Sequence, residues 1–360
     1  MSSPVLQLER LHLEVTNVCN FKCEFCPDAI LQRQRGHMDP ALLEQILDEV
    51  ATTGLARILT FHLMGEPLLY PHIFPAIDMA VARGLNLHLT SNGSTFALWP
   101  EQIERLIHSR LPKLTISLQT PDPVTFSIRG APPRLTPERY FAGITQFLQA
   151  HLRSHSPTQV HLKFLDTSPH PFLVPHKALA VINSAQQMRS VLSEWATRAL
   201  AGIPVDPDWV GSQIATYRPG HWQQMRIHPR LVLETFPLDS WGNVEIEQVI
   251  PARWGYCNGA SAQAGVLWDG TVVPCCKDFE GRIPLGQLRL GGSLLDLLLG
   301  QPACTLRQGF NRFQVNHPIC QRCMGADTPG KALLRQVGSI AYFKLYRPLK
   351  QRLEPGWGEV

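Results

Sequence analysis

Residues 19–26 read Cys19-Asn20-Phe21-Lys22-Cys23-Glu24-Phe25-Cys26, a stretch that places three thiols within one short loop. The apolar run Leu11–Val15 just before it predicts a β-strand that leads into this loop. Zinc sites are normally closed by four ligands that come in pairs, yet the next histidine is His37 and the next cysteine is Cys257. Three thiolates are better suited to a [4Fe–4S] cube, because they can hold three irons and leave the fourth iron open. The stretch therefore predicts a redox-active iron–sulfur cluster.

The chain on either side of this loop alternates strand and helix patterns. The predicted strands are Leu11–Val15, Arg57–Leu63, Leu85–Thr90, Leu114–Leu118, Val160–Leu165 and Leu231–Phe236. The predicted helices between them are Pro40–Thr52, His72–Ala82, Glu101–His108, Pro137–Ala150 and Leu179–Ala201. Such alternation implies a parallel sheet with right-handed crossovers. We expect the fold class to be α/β, with a partial (β/α)6 parallel barrel and a small C-terminal α+β cluster-binding domain.

Polar motifs follow several of the predicted strands at the point where each strand ends. Gly65-Glu66-Pro67 follows the second strand and Ser91-Asn92-Gly93 the third, while Ser117 and Gln119 end the fourth. Active sites on parallel sheets lie at the carboxyl ends of the strands. Each motif alone is also typical of an ordinary turn, but together they predict one site beside the cysteine loop.

A second group of cysteines lies near the C-terminus. Cys257 and Cys275 flank a hairpin pattern, Gly265–Pro274, whose Asp269-Gly270 turn would bring the two thiols together. Cys320 and Cys323 would complete a set of four thiolates. This spacing fits a zinc site and an iron–sulfur site equally well.

The three-cysteine spacing resembles the signature of the radical S-adenosylmethionine (SAM) enzymes. The resemblance covers most of residues 9–165 and implies that Cys19, Cys23 and Cys26 hold the [4Fe–4S] cluster to which SAM binds. In that family, one electron from the reduced cluster cleaves SAM to a 5′-deoxyadenosyl radical. The radical then abstracts a hydrogen atom from the substrate, which requires a site that excludes water.

The resemblance also implies a set of residues that bind SAM. Phe25 matches an aromatic position near the adenine, Glu66 a carboxylate that meets the SAM amino group, and Arg129 an arginine that pairs with the SAM carboxylate. The remaining positions match other SAM-facing strand ends. The full set is Phe25, Gly65, Glu66, Pro67, Ser91, Asn92, Ser117, Gln119 and Arg129.

Beside such a barrel, the second cysteine group resembles the SPASM or shorter Twitch extension. The full SPASM pattern uses seven cysteines for two clusters, whereas this region has six. We therefore expect one auxiliary [4Fe–4S] cluster on Cys257, Cys275, Cys320 and Cys323, with two clusters as the alternative.

Two further residues of this region are catalytic candidates. Cys276 is a candidate hydrogen-atom donor or replacement ligand, and a thiol packed beside the cluster is its alternative. Asp278 is a candidate general base, for which a surface role is the alternative. Cys304 lies in a helical stretch, where we expect it to pack.

The expected domain organisation follows from these patterns. Residues 1–240 form the barrel, with an irregular section at about 166–254 that shapes the substrate site and includes a Pro-rich loop at Ser168–Pro175. Residues 255–326 form the auxiliary cluster domain, and residues 327–360 form a helical tail. The basic, amphipathic part of this tail, Lys331–Leu353, could contact a membrane surface or a partner; a solvated helix packed on the barrel is the favoured alternative.

Composition and charge exclude several classes of protein. A hydrophobic share of 44% and a charged share of 17% are typical of soluble globular chains, and a net charge of +4 does not indicate nucleic-acid binding. No apolar run is long enough for an integral membrane segment. Met1–Gln7 lacks the pattern of a secretory signal, so we expect a cytoplasmic protein whose cysteines are not a disulfide framework.

The expected function is that of a radical SAM oxidoreductase acting on a small polar substrate, by dehydrogenation or epimerisation, with an external one-electron donor such as flavodoxin or ferredoxin. The cysteine loop begins at residue 19, which leaves no room before it for a peptide-recognition domain. One alternative is a maturase that modifies a peptide or protein side chain. Another is a non-catalytic iron–sulfur or zinc protein that binds a partner or transfers electrons.

Overall fold

The part of the chain that the structure describes contains ten β-strands. The computed structural model describes residues 6–168, 179–238, 241, 243–245 and 247–353. Within these ranges the strands are β1 (Leu8–Leu13), β2 (Ala56–Thr60), β3 (Leu87–Ser91), β4 (Lys113–Gln119), β5 (Gln159–Asp166), β6 (Gln223–His228), β7 (Leu231–Pro237), β8 (Gln263–Val266), β9 (Thr271–Val273) and β10 (Gly286–Gln287).

Helices connect most of these strands. The α-helices of the described ranges are α1 (Pro40–Thr53), α2 (Ile73–Ala82), α3 (Ser94–Leu98), α4 (Glu101–His108), α5 (Pro123–Phe126), α6 (Pro137–Arg153), α7 (Ala185–Ala199), α8 (Pro207–Ala215), α9 (Leu294–Leu299), α10 (Gln301–Asn311), α11 (Pro318–Met324), α12 (Pro329–Ala341) and α13 (Arg347–Leu353). A π-helical turn, Tyr342–Tyr346, joins the last two. None of the helices in the described ranges combines the length and apolarity needed to cross a bilayer.

All ten strands belong to one sheet, in the order β10-β9-β8-β1-β2-β3-β4-β5-β7-β6. Neighbouring strands from β8 through β1 to β5 and β7 are parallel, and the strands towards both edges pair antiparallel. The six predicted barrel strands correspond to β1–β5 and β7. The described strands form an open sheet rather than a closed barrel, which confirms the predicted α/β fold with a partial parallel barrel.

The two faces of the sheet differ in polarity. On β5, Val160, Leu162 and Phe164 are fully buried in the apolar core, together with residues of α6. His161 and Lys163 alternate with them and contact Glu234 of β7 on the opposite, inner face. Lys163 of β5 interacts electrostatically with His62, which follows β2, although β3 and β4 lie between these two strands. This interaction across the sheet indicates that the sheet is curved. We call the space enclosed by this curved inner face the lumen.

The predicted hairpin is confirmed as β8 and β9. Asp269 Oδ1 accepts a hydrogen bond from the amide of Thr271, and Gly270 adopts a φ of +88° that the turn requires. The sequence did not indicate where the hairpin attaches. It extends the sheet, because β8 pairs with the free edge of β1.

The section that the sequence describes as irregular contains more regular structure than expected. The predicted helix Leu179–Ala201 is shorter, because the Ser184 side chain caps a helix that begins at Ala185. A further helix, α8, begins behind a cap at Asp206 with Pro207 in its first turn. Strand β6, also unexpected, forms the outer edge beside β7. The Pro-rich loop predicted at Ser168–Pro175 lies, after Ser168, outside the described residues.

Candidate cluster and cofactor site

The first cysteine loop is held in place by a turn that follows β4. The amide of Lys22 donates to the carbonyl oxygens of Arg129 and Gly130, at 3.0 and 3.2 Å, and the amide of Glu24 donates to that of Ile128 at 3.0 Å. A Cβ atom at Gly130 would lie 2.7 Å from the Lys22 oxygen, so the turn approaches the loop more closely than another residue allows. The loop therefore has a fixed path across the carboxyl end of the sheet.

None of the three thiols of the loop forms a disulfide; Cys23 is buried, and Cys19 and Cys26 are half-buried. Burial raises the pKa of Cys19 and of Cys26 to about 12 each, and burial also raises the pKa of Cys23. Buried thiols ionise when a metal compensates the charge, since the thiolate is the form that binds metal. The chemistry of this donor set therefore fits an iron–sulfur cluster.

Gly65-Glu66-Pro67 lies directly against the start of the cysteine loop. Gly65 has a φ of +81°, and a Cβ atom there would lie 2.4 Å from the carbonyl oxygen of Thr16. The amide of Glu66 donates to the carbonyl oxygen of Val18 at 2.8 Å. The Glu66 carboxylate is buried and accepts hydrogen bonds from the amides of Leu68 and Asn92, at 3.1 and 2.6 Å. Burial raises the pKa of Glu66 to about 7, a level that a bound cation would lower.

The end of β3 contacts the same loop through side chains. Asn92 Nδ2 donates to Asn20 Oδ1 at 3.0 Å and lies 3.9 Å from the sulfur of Cys19. The Asn92 carbonyl oxygen accepts a hydrogen bond from the buried hydroxyl of Tyr140 at 2.7 Å. Ser91 Oγ accepts from the amide of Gly93 at 3.0 Å, which supports the turn. Asn92 thus connects the third strand end to the cluster loop.

The end of β4 leaves two buried polar atoms without a partner. Gln119 follows a bulge, has a φ of +62°, and its buried Oε1 accepts no hydrogen bond in the described structure. Arg129 is buried and donates to the carbonyl oxygens of Ser117 and Leu118, at 2.9 and 3.1 Å, but its Nε has no partner among the described residues. Buried polar groups are nearly always satisfied. An unpaired acceptor and an unpaired donor at one strand end fit a polar ligand such as SAM.

Phe25 lies between the loop and the C-terminal region. Its ring centre is 5.7 Å from the Arg129 guanidinium, and its carbonyl oxygen accepts a hydrogen bond from Trp241 Nε1 at 3.0 Å. The half-buried ring therefore faces the arginine that binds the carbonyl oxygens at the end of β4.

The lumen contains polar residues that the sequence analysis missed. Glu234 is fully buried and interacts with Lys163 Nζ at 3.1 Å, His161 Nδ1 at 2.8 Å and Trp222 Nε1 at 3.1 Å. Although burial opposes it, the ammonium of Lys163 and the ring of His161 hold the pKa of Glu234 well below its usual range. Burial, Lys163 and Arg10 together lower the pKa of His62 to about 4, so this ring is neutral at pH 7. The alternation Val-His-Leu-Lys-Phe-Leu at 160–165 was the available signal for a polar inner face.

The second cysteine group converges as the spacing predicts. Burial and the neighbouring Cys276, Cys257 and Cys323 raise the pKa of Cys275 well above its ordinary value. Burial, Cys257 and Cys323 likewise raise the pKa of Cys320. The fold therefore gathers these thiols from the ends of the hairpin and from α11.

The described residues form no preorganised site for a single metal ion. No three His, Cys, Asp or Glu side chains among them converge closely enough to share one. A cube is held differently, because each thiolate binds an iron of its own.

Cys276 and Asp278, the two catalytic candidates of this region, have defined contacts. The Cys276 sulfur lies 3.7 Å from Gln263 Oε1 and faces a cavity of about 190 Å³ that Arg10 and His12 also line. Both carboxylate oxygens of Asp278 accept backbone amides, those of Arg282 and Ile283, at 2.8 Å each. Asp278 therefore stabilises its own loop, and a role for it as a base remains a prediction.

Cys304 lies apart from this group, on α10. Its sulfur is 3.1 Å from the Leu299 carbonyl oxygen and 3.1 Å from a guanidinium nitrogen of Arg307. These contacts agree with a packing role.

The two cysteine groups are joined by one apolar cluster. This bridging cluster consists of Leu63, Met64, Leu267, Val273 and Phe279. Cys26 of the first group and Cys276 of the second group both pack against it. The sequence could not indicate this contact, because the two groups are far apart along the chain.

Family profiles agree with the two cysteine groups. The profile of the Radical SAM superfamily matches residues 13–161. The profile of the SPASM iron–sulfur cluster-binding domain matches residues 257–324. The chain belongs to the radical SAM superfamily. Its C-terminal region is a SPASM domain, as the resemblance predicted.

Individual relatives of this radical SAM protein differ in how much they share with it. The S-adenosyl-L-methionine-dependent 2-deoxy-scyllo-inosamine dehydrogenase of Niallia circulans is 37% identical over 60 residues, which is 16% of this chain and only 24% of that enzyme. The GTP 3′,8-cyclase of Nostoc sp. is 25% identical over 327 residues, covering 81% of this chain and 88% of the cyclase. The crystal structure of SuiB from Streptococcus suis shares the fold with a TM-score of 0.51 at 16% identity, over 92% of this chain and 72% of SuiB.

Membership of the superfamily confirms the expected enzyme class and cofactors. A radical SAM enzyme uses SAM and a [4Fe–4S] cluster, and a SPASM domain adds iron–sulfur binding. The assignment of individual ligands remains a prediction, as do the number of auxiliary clusters and the domain boundaries. The structure brings the predicted residues into two groups, one around Cys19, Cys23 and Cys26 and one around Cys257 and Cys275.

Proposed function

We propose that this radical SAM enzyme abstracts a hydrogen atom from a small polar molecule bound in the lumen, and that the net reaction is a dehydrogenation or an epimerisation. The observation that carries this proposal is the Lys163–Glu234–His161 network on the inner face. A buried carboxylate destabilises the fold even when donors such as Lys163, His161, Trp222 and Gln224 surround it. Such a group is therefore better explained by a polar substrate than by an apolar one.

The lumen offers a polar ligand both donors and acceptors. Lys163 is 20% exposed, so its ammonium contacts Glu234 while part of the side chain remains accessible. The neutral, half-buried ring of His62 presents one donor and one acceptor. His62 lies three residues before Gly65, and this short spacing supports a polar lumen close to the strand ends to which we assign SAM binding.

The relative from Niallia circulans supports the substrate class. Its name describes a SAM-dependent dehydrogenase acting on 2-deoxy-scyllo-inosamine, a small polyhydroxylated amine. The match spans about a quarter of that enzyme, so it favours the class of small polar substrates and not that particular compound.

The residues of this chain divide the task between binding and positioning. Cys19, Cys23 and Cys26 would hold the SAM-binding cluster, and Glu66, Asn92, Gln119 and Arg129 would orient SAM. When bound, the reduced cluster and SAM supply a 5′-deoxyadenosyl radical. Cys257, Cys275, Cys320 and Cys323 would hold the auxiliary cluster, a place to which the substrate's second electron can pass in a dehydrogenation.

Isotope transfer tests this proposal. The enzyme, reconstituted without oxygen, is reduced with dithionite and incubated with SAM and polyols or aminocyclitols that carry deuterium at each C–H position. We expect deuterium in the 5′-deoxyadenosine formed from the true substrate class. The Lys163→Met variant should raise KM for that substrate at least roughly tenfold, because a charge-assisted contact of about 1.5 kcal/mol is lost.

The matched control is Lys331→Met, which removes a half-exposed lysine that lies on α12, not on a strand of the sheet, and is paired with Asp327. This variant should leave KM unchanged. Deuterium transfer from a labelled peptide, with none from the small polar compounds, would show that the substrate class is wrong.

A further inference from the structure

The C-terminal helical run carries an apolar face that the described part of the chain does not cover. The run comprises α12, the π-helical turn and α13, from Pro329 to Leu353. Six of its leucine and valine side chains, Leu333 among them, are between 46% and 71% exposed. The other five recur at intervals of three, four or eight residues. They are Leu334, Val337, Leu345, Leu349 and Leu353.

The opposite side of the run faces the protein. Ala332 and Gln336 are buried, and Gln336 Oε1 accepts the backbone amides of Arg253 and Trp254, at 3.2 and 3.3 Å. Ser339 Oγ accepts the amide of Tyr256 at 3.0 Å. Because these contacts fix the rotation of α12, the leucines and Val337 point outward as a consequence of the fold. We call them the outer stripe.

The charge of the run is entirely positive. Residues 329–353 contain six lysines and arginines and no aspartate or glutamate. Without these six residues the formal charge of the chain, +4, would be −2. The helical run therefore carries the whole positive excess of the protein, beside a stripe of exposed leucines.

Aromatic side chains border the outer stripe. Tyr342 and Tyr346 are 42% and 49% exposed, and their rings stack at 5.8 Å. Trp254, whose amide is bound by Gln336, exposes part of its indole next to α12. Tyrosine and tryptophan are the residues that prefer the boundary between headgroups and hydrocarbon.

We propose that the outer stripe binds the surface of a lipid bilayer that contains anionic headgroups. Helices that lie in this boundary combine exposed leucines with lysine and arginine and have few carboxylates. A second copy of the chain is a poorer occupant, because pairing two such helices would bring together two cationic surfaces. Lys331 and Arg347 are paired with Asp327 and Glu9, but neither carboxylate belongs to the run itself. The inference does not depend on the identity of the enzyme's substrate.

Vesicle co-sedimentation of the full chain tests the proposal. The vesicles consist of phosphatidylcholine alone or of phosphatidylcholine and phosphatidylglycerol in equal parts. We expect binding to the anionic vesicles, weaker binding to the neutral ones, and a loss of binding as salt is raised, since exposed charges are then screened. The double variant Leu345→Glu/Leu349→Glu should weaken binding to anionic vesicles at least roughly tenfold, because two exposed apolar anchors become anions.

The matched control is Leu290→Glu/Leu299→Glu, which changes two leucines that are 62% and 49% exposed outside the stripe. This control should bind like the unaltered enzyme, and both double variants should still cleave SAM. Failure of the unaltered enzyme to bind anionic vesicles at low salt would overturn the proposal. Equal weakening by the two double variants would also overturn it, as would a dimer in gel filtration that the stripe variant alone disrupts without any vesicle binding.

Discussion

Replacing Gly65 by alanine, and comparing it with the same change at Gly54, distinguishes the energetic cost of a left-handed backbone conformation from that of a steric clash. Gly65 and Gly54 both have positive φ values, +81° and +64°. A Cβ atom at Gly54, which ends α1, would meet nothing within 4 Å. A Cβ atom at Gly65 would lie 2.4 Å from the Thr16 carbonyl oxygen and 2.8 Å from Asn17 Cα, both of them backbone atoms.

The expected magnitudes follow from this difference. Gly54→Ala should destabilise the fold by about 1 kcal/mol, the cost of an L-residue in the left-handed region. Gly65→Ala has the same conformational cost and two further ones. Overpacking adds about 2 kcal/mol, and loss of the hydrogen bond between Glu66 and Val18 in a displaced loop adds about 1 kcal/mol. For a chain of 360 residues, the total of about 4 kcal/mol corresponds to a fall in Tm of roughly 5 °C, against roughly 1 °C for Gly54→Ala.

Thermal unfolding of the two variants in the absence of oxygen measures these shifts. SAM cleavage under dithionite reports the consequence for the site, because the Gly65 turn carries the Glu66 carboxylate. Gly54→Ala should cleave SAM like the unaltered enzyme, whereas Gly65→Ala should lose most of this activity. Equal Tm shifts, or full SAM cleavage by Gly65→Ala, would show that the close approach to Thr16 is not a constraint on the site.

Three further substitutions test other parts of the site. Cys23→Ala should abolish SAM cleavage and lower the iron content from about eight to about four atoms per chain, as iron analysis after reconstitution would show; retained cleavage would contradict the ligand assignment. Cys320→Ala should lose the iron of the auxiliary cluster while Cys304→Ala retains it, and equal iron contents would exclude Cys320 as a ligand. Glu234→Gln should destabilise the fold at pH 7 by about 3 kcal/mol. Because the folded pKa of Glu234 lies below its ordinary 4.5, this difference in denaturant unfolding should shrink as the pH falls below 4.5, and a difference independent of pH would refute the ion-pair account.

The sequence predicted the parts of the fold that depend on local pattern. Each of the six barrel strands is an apolar run bounded by turn residues, and all six are present. The cysteine loop and the strand-end motifs were also legible, because a parallel sheet brings the carboxyl ends of its strands to one edge. Asn92 contacts Cys19, as expected of motifs that share this edge.

The features that the sequence did not predict depend on pairing over long distances or on which face a residue occupies. The pairing of β8 with β1 joins segments about 250 residues apart, and no local pattern specifies it. Periodicity showed that Lys331–Leu353 is amphipathic but not which side packs on the protein. Contacts of Gln336 and Ser339 decide this, and they leave the leucines exposed rather than packed.

The buried charges of the site explain why its strand ends differ from the apolar core beside them. Glu66 and Arg129 lie at different strand ends, are almost completely buried, and attract each other electrostatically. A buried carboxylate or guanidinium without partners would be strongly destabilising; Glu66 and Arg129 are stabilised by the backbone groups that they bind and by their mutual attraction. A ligand that carries an ammonium and a carboxylate on one carbon offers an ammonium to Glu66 and a carboxylate to Arg129. Each residue then has a closer partner of opposite charge. We therefore expect the pair to be complementary to the amino-acid end of SAM, with both contacts strengthened by the apolar surroundings because little water is present to screen them.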